Sequence, residues 1–407
     1  MKKLFTCCAA VVSAVMFGQT FTQAYKDRSE LFLQSNINTT LTEFAALGVK
    51  TTGSTANNNA FTWLKNKYIS YGYSTSEISE HTFTKSNTTS KNLIVTKTGT
   101  VYPDQYVIIC GHYDTLNGPG VNDNGSGTAI ILEIARILEN VDSEYSIKFI
   151  NFSGEEQGLW GSTAYVADVV NATTPKMNIR LVFNLDEVGG VAGQVNNRIN
   201  CEKDGTPTLP TYMATTYASY PSSNNAASNT FNTILMNCFT LYSKNSSGQT
   251  LITPVSSYIE RSDYMPFDKN GDVCIGLYET LESTKPHTTG DTYTNMDPVF
   301  VYNVGKGAIA ALQHFAVSST NVTLGTGTQI KNAKDKISLF PNPVKDFLYV
   351  GADAKNFDVI VNDASGKKVL TAKNSQMLNV SALAKGTYFL TATLDGETVT
   401  KKFIVTK

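Results

Sequence analysis

Histidine is scarce in this chain, with four in 407 residues, and tryptophan scarcer, with two. Cysteine is limited to six, none in the CxxC spacing of a zinc or redox motif. Excess charge of either sign is missing too: 33 basic residues face 34 acidic ones, the net charge is −1 and the pI is near 6.4. That balance gives no electrostatic case for binding nucleic acid or an anionic membrane. Long apolar runs are absent except at the start. There Lys2 and Lys3 precede the apolar run Leu4–Phe17. This reads as a secretory signal cleaved near Gly18, or as late as Ala24, being shorter than the ~18–20 residues a spanning helix needs. No other segment can cross a bilayer. Cys7 and Cys8 leave with the signal. Cys110, Cys201, Cys238 and Cys274 remain, a set with three full pairings. Cys110 reads as a core thiol. Cys238 paired with Cys274 or with Cys201 stays open for an oxidising compartment. Few charges among many Asn, Thr, Ser and Tyr suit an extracellular protein.

What the chain does have is Gly111–Gly127, GHYDTLNGPGVNDNGSG. The apolar run Tyr106–Cys110 precedes it, as in a buried strand. His112, Asp114 and Asp123 follow, and then an apolar helix. The pattern recurs. Ile147–Phe152 ends at Ser153-Gly154-Glu155-Glu156, Ile179–Leu185 at Asp186-Glu187, and Val273–Tyr278 is followed by His287. Ligands of open α/β sheets bind beyond the carboxyl ends of strands. If the four runs are parallel neighbours, these acids and imidazoles converge on one rim.

Between these points the reading is coarser. Tyr25–Ser54 carries no visible chemistry. Asn57–Tyr71 reads as a helix stopped by Gly72, with Trp63 in the core, and Ser74–Lys97 as a strand pair with His81 on its surface. Ser126 or Thr128 caps a helix over Ala129–Asn140. Trp160 is assigned to core packing rather than to a pocket. Ala192–Ser247 is the least readable stretch, with a helix at Asn229–Tyr242. Pro298–Val317 closes the unit as a helix with a structural His314, and Asp291 caps a turn or steadies His287. Ser318–Lys336 is a linker, and from Ile337 short alternating runs broken by turn pairs predict a small β-sandwich.

Imidazoles with carboxylates suit divalent zinc, manganese or cobalt better than a metal that prefers thiolates. His112 and Asp186 can hold one ion, Glu156 and His287 a second, with Asp123 between them. Glu155, beside a ligand but not needed as one, is free to take a proton from a metal-activated water and pass it to a leaving amine. Asp114 is placed to accept the other ring N–H of His112. Any one of these features alone is more often an ordinary turn, but their joint placement after four apolar runs argues for metal-assisted amide hydrolysis.

GHYD, GVNDNGSG, FSGEEQGLWGS, NLDEVG and PHTTGDT resemble, in order, the motifs of the M28 zinc exopeptidases, the bacterial leucyl aminopeptidase group. The likeness runs from about Leu47 to His314. It implies a mixed eight-stranded sheet between helices, two zinc ions held by His112, Asp123, Glu156, Asp186 and His287, Glu155 as general base and Asp114 as the acid that orients His112. Ser262-Asp263-Tyr264 stands where many members have Ser-Asp-His. LFPNPVKDFLYV, VNDASGKKVL, LAKGTYFL and KKFIVTK resemble the sorting domain of type IX secretion. Together the resemblances imply a signal at 1–18, a peptidase domain at 25–317, a linker at 318–336 and a sorting domain at 337–407. They imply a secreted or cell-surface enzyme whose partners are peptides with a free N-terminus and the type IX secretion machinery. Two alternatives share the scaffold, a glutaminyl cyclase with one metal and a binding protein without activity.

Overall fold

The computed structural model describes residues 20–205, 224–245, 247–320 and, with short gaps, 337–406. The signal segment and most of the linker lie outside the described residues. The chain has two compact units, Met1–Val322 and Thr323–Lys407.

The first unit is built on eight strands: β1 (Ile78–Lys85), β2 (Thr88–Lys97), β3 (Tyr102–His112), β4 (Tyr145–Phe152), β5 (Asn178–Leu185), β6 (Arg198–Lys203), β7 (Thr253–Tyr258) and β8 (Cys274–Glu279). Their order in the single mixed sheet is β1-β2-β4-β3-β5-β8-β6-β7. The middle four, β4, β3, β5 and β8, are the four runs singled out from the sequence, and they are parallel neighbours. β2 and β6 flank them antiparallel.

The middle strands carry apolar side chains on both faces because both faces are covered. Val107 and Ile109 enter one buried cluster, and Ile108 and Cys110 enter the other. Phe149 and Ile150, and Phe183 and Val182, divide the same way. Each such side chain contributes about 1.5–3 kcal/mol by leaving water. One cluster takes in the helices Thr55–Tyr71, Gly125–Leu138 and Pro298–Ala316, and the other the short helices Trp160–Tyr165 and Met265–Lys269. Register sets His112 opposite Phe152 and Cys110 opposite Asn184, so the strands end nearly level.

Local signals explain the helix limits. Ser54 accepts the N–H of Asn57 and starts Thr55–Tyr71, and Gly72, at φ 116°, stops it. The cap of Gly125–Leu138 differs from expectation. Asn124 accepts the N–H of Gly127, whereas Ser126 donates to the carbonyl of Asn122 and Thr128 to that of His112. The two hydroxyls tie the helix to the loop and strand behind it instead of capping it. Trp160 also differs: it is half-buried beside Gly154, outside both apolar clusters. No disulfide joins Cys110, Cys201, Cys238 and Cys274, all of which are buried.

The second unit contains β9 (Ile337–Phe340), β10 (Phe347–Ala352), β11 (Phe357–Asp363), β12 (Lys368–Lys373), β13 (Met377–Asn379), β14 (Gly386–Leu394) and β15 (Glu397–Val405). They form two antiparallel sheets, β13-β10-β9 and β12-β11-β14-β15. Leu348 and Val350 from one sheet and Val359, Val361, Leu390 and Phe403 from the other share one buried cluster, the core of a small sandwich.

Candidate metal centre

Each sequence-predicted side chain leaves the carboxyl end of a middle strand, or a loop just beyond one, and five of them meet. His112 Nε2 lies 3.1 Å from Asp123 Oδ1 and 3.2 Å from Asp186 Oδ1. His287 Nε2 lies 3.1 Å from Asp123 Oδ2 and 2.9 Å from Glu156 Oε2. Asp123 thus turns one oxygen to each imidazole. His112, Asp123 and Asp186 form one group of facing ligand atoms, and Asp123, Glu156 and His287 form the other. A tetrahedral ion with bonds near 2.0 Å keeps neighbouring ligand atoms roughly 3.3 Å apart, so these gaps fit one ion in each group. The donors, imidazole with carboxylate, suit zinc. Glu156 Oε1 is buried without a protein partner, an acceptor left over for a cation.

The electrostatics point the same way. Burial works against a charged His112, yet Asp186 and Asp123 outweigh it and raise its pKa well above 6.5. Hydrogen bonding to Asp123 raises His287 to about 9. Burial would push the Asp123 carboxyl up, but the two imidazoles hold it down at about 2. Glu156 rises to about 8 through burial and the nearby Asp123. Burial also lifts Glu155 well above the carboxylate range. Acids crowded out of water protonate or find positive charge, and divalent cations would supply that charge.

The surrounding bonds hold these groups in place. His112 Nδ1 meets the main-chain oxygen of Asp114 at 3.1 Å, while the Asp114 carboxylate stands 3.7 Å off. That carboxylate instead accepts the N–H groups of Glu155 and Glu156, both at 3.3 Å, and the Thr52 hydroxyl at 3.1 Å. Ser262 donates to Asp186 Oδ2 at 2.6 Å and accepts from Asn184 Nδ2 at 2.8 Å. Asp291 does not touch His287; its oxygens accept the N–H groups of Asn122 at 2.8 Å and Asp123 at 3.0 Å. Gly118 admits no side chain, since a Cβ there would lie 1.9 Å from the carbonyl oxygen of Thr288. The loops of Asp123 and His287 therefore press together. At the Ser-Asp-Tyr departure, the buried Tyr264 donates to Glu202 Oε2 at 2.9 Å and takes no part in the ligand groups.

Sequence reasoning missed Lys50 and Thr52, which lie in the stretch read as free of chemistry. It also missed the grip of Ser262 on Asp186. Short polar residues flanking apolar runs were the available signal for Ser262, and nothing local marks Lys50. His81 and His314 stay away from the site. His81 meets Asp168 and Asn92, and His314 meets Tyr242.

The secretion system C-terminal sorting domain model matches residues 338–406. Aminopeptidase YwaD of Bacillus subtilis is 42% identical over 105 residues, 25% of this chain and 23% of that protein. A probable zinc metalloprotease of Pyrenophora teres f. teres is 32% identical over 183 residues, 39% of this chain and 37% of its own. The chain thus spans 23–37% of the length of these curated relatives. Among solved structures, the LapA aminopeptidase of Legionella pneumophila shares the fold at a TM-score of 0.59 and 19% identity, over 78% of this chain and 80% of that one. A glutaminyl cyclase of Macrostomum lignano shares it at 0.57 and 15%, over 72% and 92%. The Peptidase family M28 model matches residues 92–312, more than half of the chain, from within β2 to within the closing helix, so the chain belongs to peptidase family M28.

Proposed function

We propose that the protein is a secreted zinc aminopeptidase that removes N-terminal residues from peptides, with two zinc ions at the rim of the sheet. One observation carries this reading: two groups of ligand atoms share Asp123 and leave the neighbouring Glu155 outside both. His112 and Asp186 would hold one ion, Glu156 and His287 the other, and Asp123 would bridge them. Bound ions would lower the pKa of a water from about 15.7 toward 7 and polarise the scissile carbonyl.

The chain's own residues account for the rest. Glu155 accepts the proton of the attacking water and returns it to the departing amine. Burial raises its pKa above the ordinary carboxylate value, the direction that makes a carboxylate a better proton acceptor. Asp114 fixes the Glu155-Glu156 turn through its two N–H bonds, keeping base and ligand in register. The Asp114 carbonyl orients His112, and Ser262 orients Asp186. Half of the His287 side chain faces solvent, which sets the open side of the site beside that imidazole.

Export is proposed from the tail that matches a secretion sorting domain, with the type IX machinery as the partner. No described helix is long and apolar enough to cross a membrane.

The test is an assay of the purified protein on aminoacyl amides with free and with blocked N-termini, with and without chelator, alongside a metal count. Chelator-sensitive release from free N-termini only, with two ions per chain, is expected. A single ion with cyclisation of N-terminal glutamine would mark a cyclase instead.

A further inference from the structure

Lys50 is 0% exposed, and neither the ligand groups nor the proton-transfer group includes it. Burial pulls its pKa down to about 7, and the ammonium form, with three N–H donors, is tolerable there only when they are satisfied. Lys50 Nζ donates to the carbonyls of Pro119 at 2.7 Å, Gly48 at 2.8 Å and Phe44 at 3.2 Å, with the Phe44 ring centroid 3.8 Å away. Phe44 lies in the last turn of the helix Gln34–Ala46, where its carbonyl also accepts the N–H of Leu47 at 3.3 Å and where the helix end favours cations. Pro119 lies in the turn that leads to Asp123. The main chain of Lys50 joins the same turn: its N–H donates to Thr115 Oγ1 at 2.8 Å, and that hydroxyl donates to Gly118 O at 3.0 Å. The Phe44 ring packs under Gly125, where a Cβ would meet Cδ1 at 2.8 Å. From the opposite side, Asp291 takes the N–H groups of Asn122 and Asp123.

We propose that Lys50 is a positioning residue for the shared ligand Asp123: its ammonium fixes the Pro119 end of the turn that Asp291 fixes at the Asp123 end. The inference rests on reading Asp123 as a metal ligand. It extends the metal centre into an N-terminal segment outside the 92–312 family match. A turn held at both ends presents both Asp123 oxygens without rearranging when an ion arrives. A turn released at Pro119 has to be ordered by the ion itself, which weakens binding.

The test compares Lys50→Met, Lys50→Arg and Lys306→Met with wild type. Lys306 is a second buried ammonium, 4% exposed and paired with Glu30, away from the turn. Zinc affinity is measured by chelator competition, kcat and KM on an aminoacyl amide, folding by circular dichroism, and hydrogen exchange at residues 118–125. Outer partners of metal ligands are worth about 10–100-fold in affinity or activity. K50M is expected to lose that much zinc affinity and kcat, with KM within about threefold and faster exchange in the turn. K50R is expected to recover most of the loss. K306M should keep wild-type affinity even if its Tm falls. Wild-type zinc affinity in K50M, or an equal loss in K306M, overturns the proposal. If K50M does not fold, Lys50→Gln, which keeps two donors, is judged by the same affinities. Zinc binding without peptidase activity in the wild type would sink the aminopeptidase reading and leave the affinity comparison to decide on Lys50. A wild type that binds no zinc overturns both.

Discussion

Asp291 holds Asp123 by its main-chain N–H at 3.0 Å, although 168 positions separate them. Its other oxygen takes the N–H of Asn122. The loop after β8 that carries His287 therefore also grips the turn that carries Asp123, and two of the three members of one ligand group are placed by a single segment. Asp291→Ala leaves two buried N–H groups unpaired, at about 1–3 kcal/mol each. We expect a folded protein with zinc affinity reduced about 10–100-fold, measured by chelator competition. Unchanged affinity would show that Asp123 keeps its place without this grip.

Glu155 and Glu156 are neighbours for which we propose different roles. Glu156 Oε2 faces His287, whereas Glu155 belongs to neither ligand group. Glu155→Gln should lower kcat by about 10²–10⁴, the usual worth of a general base, and leave the zinc content unchanged. Glu156→Gln should lower the zinc content itself. Metal analysis alongside initial rates separates the two, and a Glu155→Gln enzyme within tenfold of wild type would remove Glu155 from the mechanism.

The two ligand groups differ in access. The His287 side chain is 55% exposed and that of His112 1%. Chelation should be biphasic, with the ion at Asp123, Glu156 and His287 leaving first. His287→Ala should hold one ion per chain and show only the slow phase. Two ions leaving at one rate, or His287→Ala keeping two, would contradict the assignment.

The part of the site that follows strands was legible in the sequence. His112, Glu155, Glu156 and Asp186 follow apolar runs directly, and four such runs with one polarity of ending leave few arrangements other than a parallel sheet. Asp123 and His287 were legible from their motifs. The supports were less so. Thr52 reaches Asp114 across 62 positions and Lys50 reaches Pro119 across 69, and such contacts leave no local periodicity. By residue type Asn124, Ser126 and Thr128 are all good caps. Only the tertiary bonds from Ser126 to the carbonyl of Asn122 and from Thr128 to that of His112 decide between them. Trp160 reads as core packing from the sequence, but its place next to the Ser153–Glu156 loop leaves it half-buried.

His314 gives a pH dependence independent of the metal. Burial lowers its pKa from 6.5 to about 4, and its ring nitrogen meets the Tyr242 hydroxyl at 2.9 Å. Between pH 4 and 6.5 the unfolded chain therefore binds a proton at this position that the folded chain does not. Stability from the neutral ring is fully present above pH 6.5 and is lost as pH falls toward 4. The ring is partly exposed, so the effect is on the order of 1 kcal/mol. His314→Gln cannot take up the proton. The difference in unfolding free energy between wild type and variant, from urea titrations at pH 7 and pH 5, should shift toward the variant by that amount at the lower pH. Loss of zinc in acid affects both proteins alike and cancels in the difference. A pH-independent difference would mean that His314 titrates in the folded protein as it does in the unfolded chain, and a shift toward wild type at pH 5 would mean that the folded ring is charged, with Tyr242 accepting its proton.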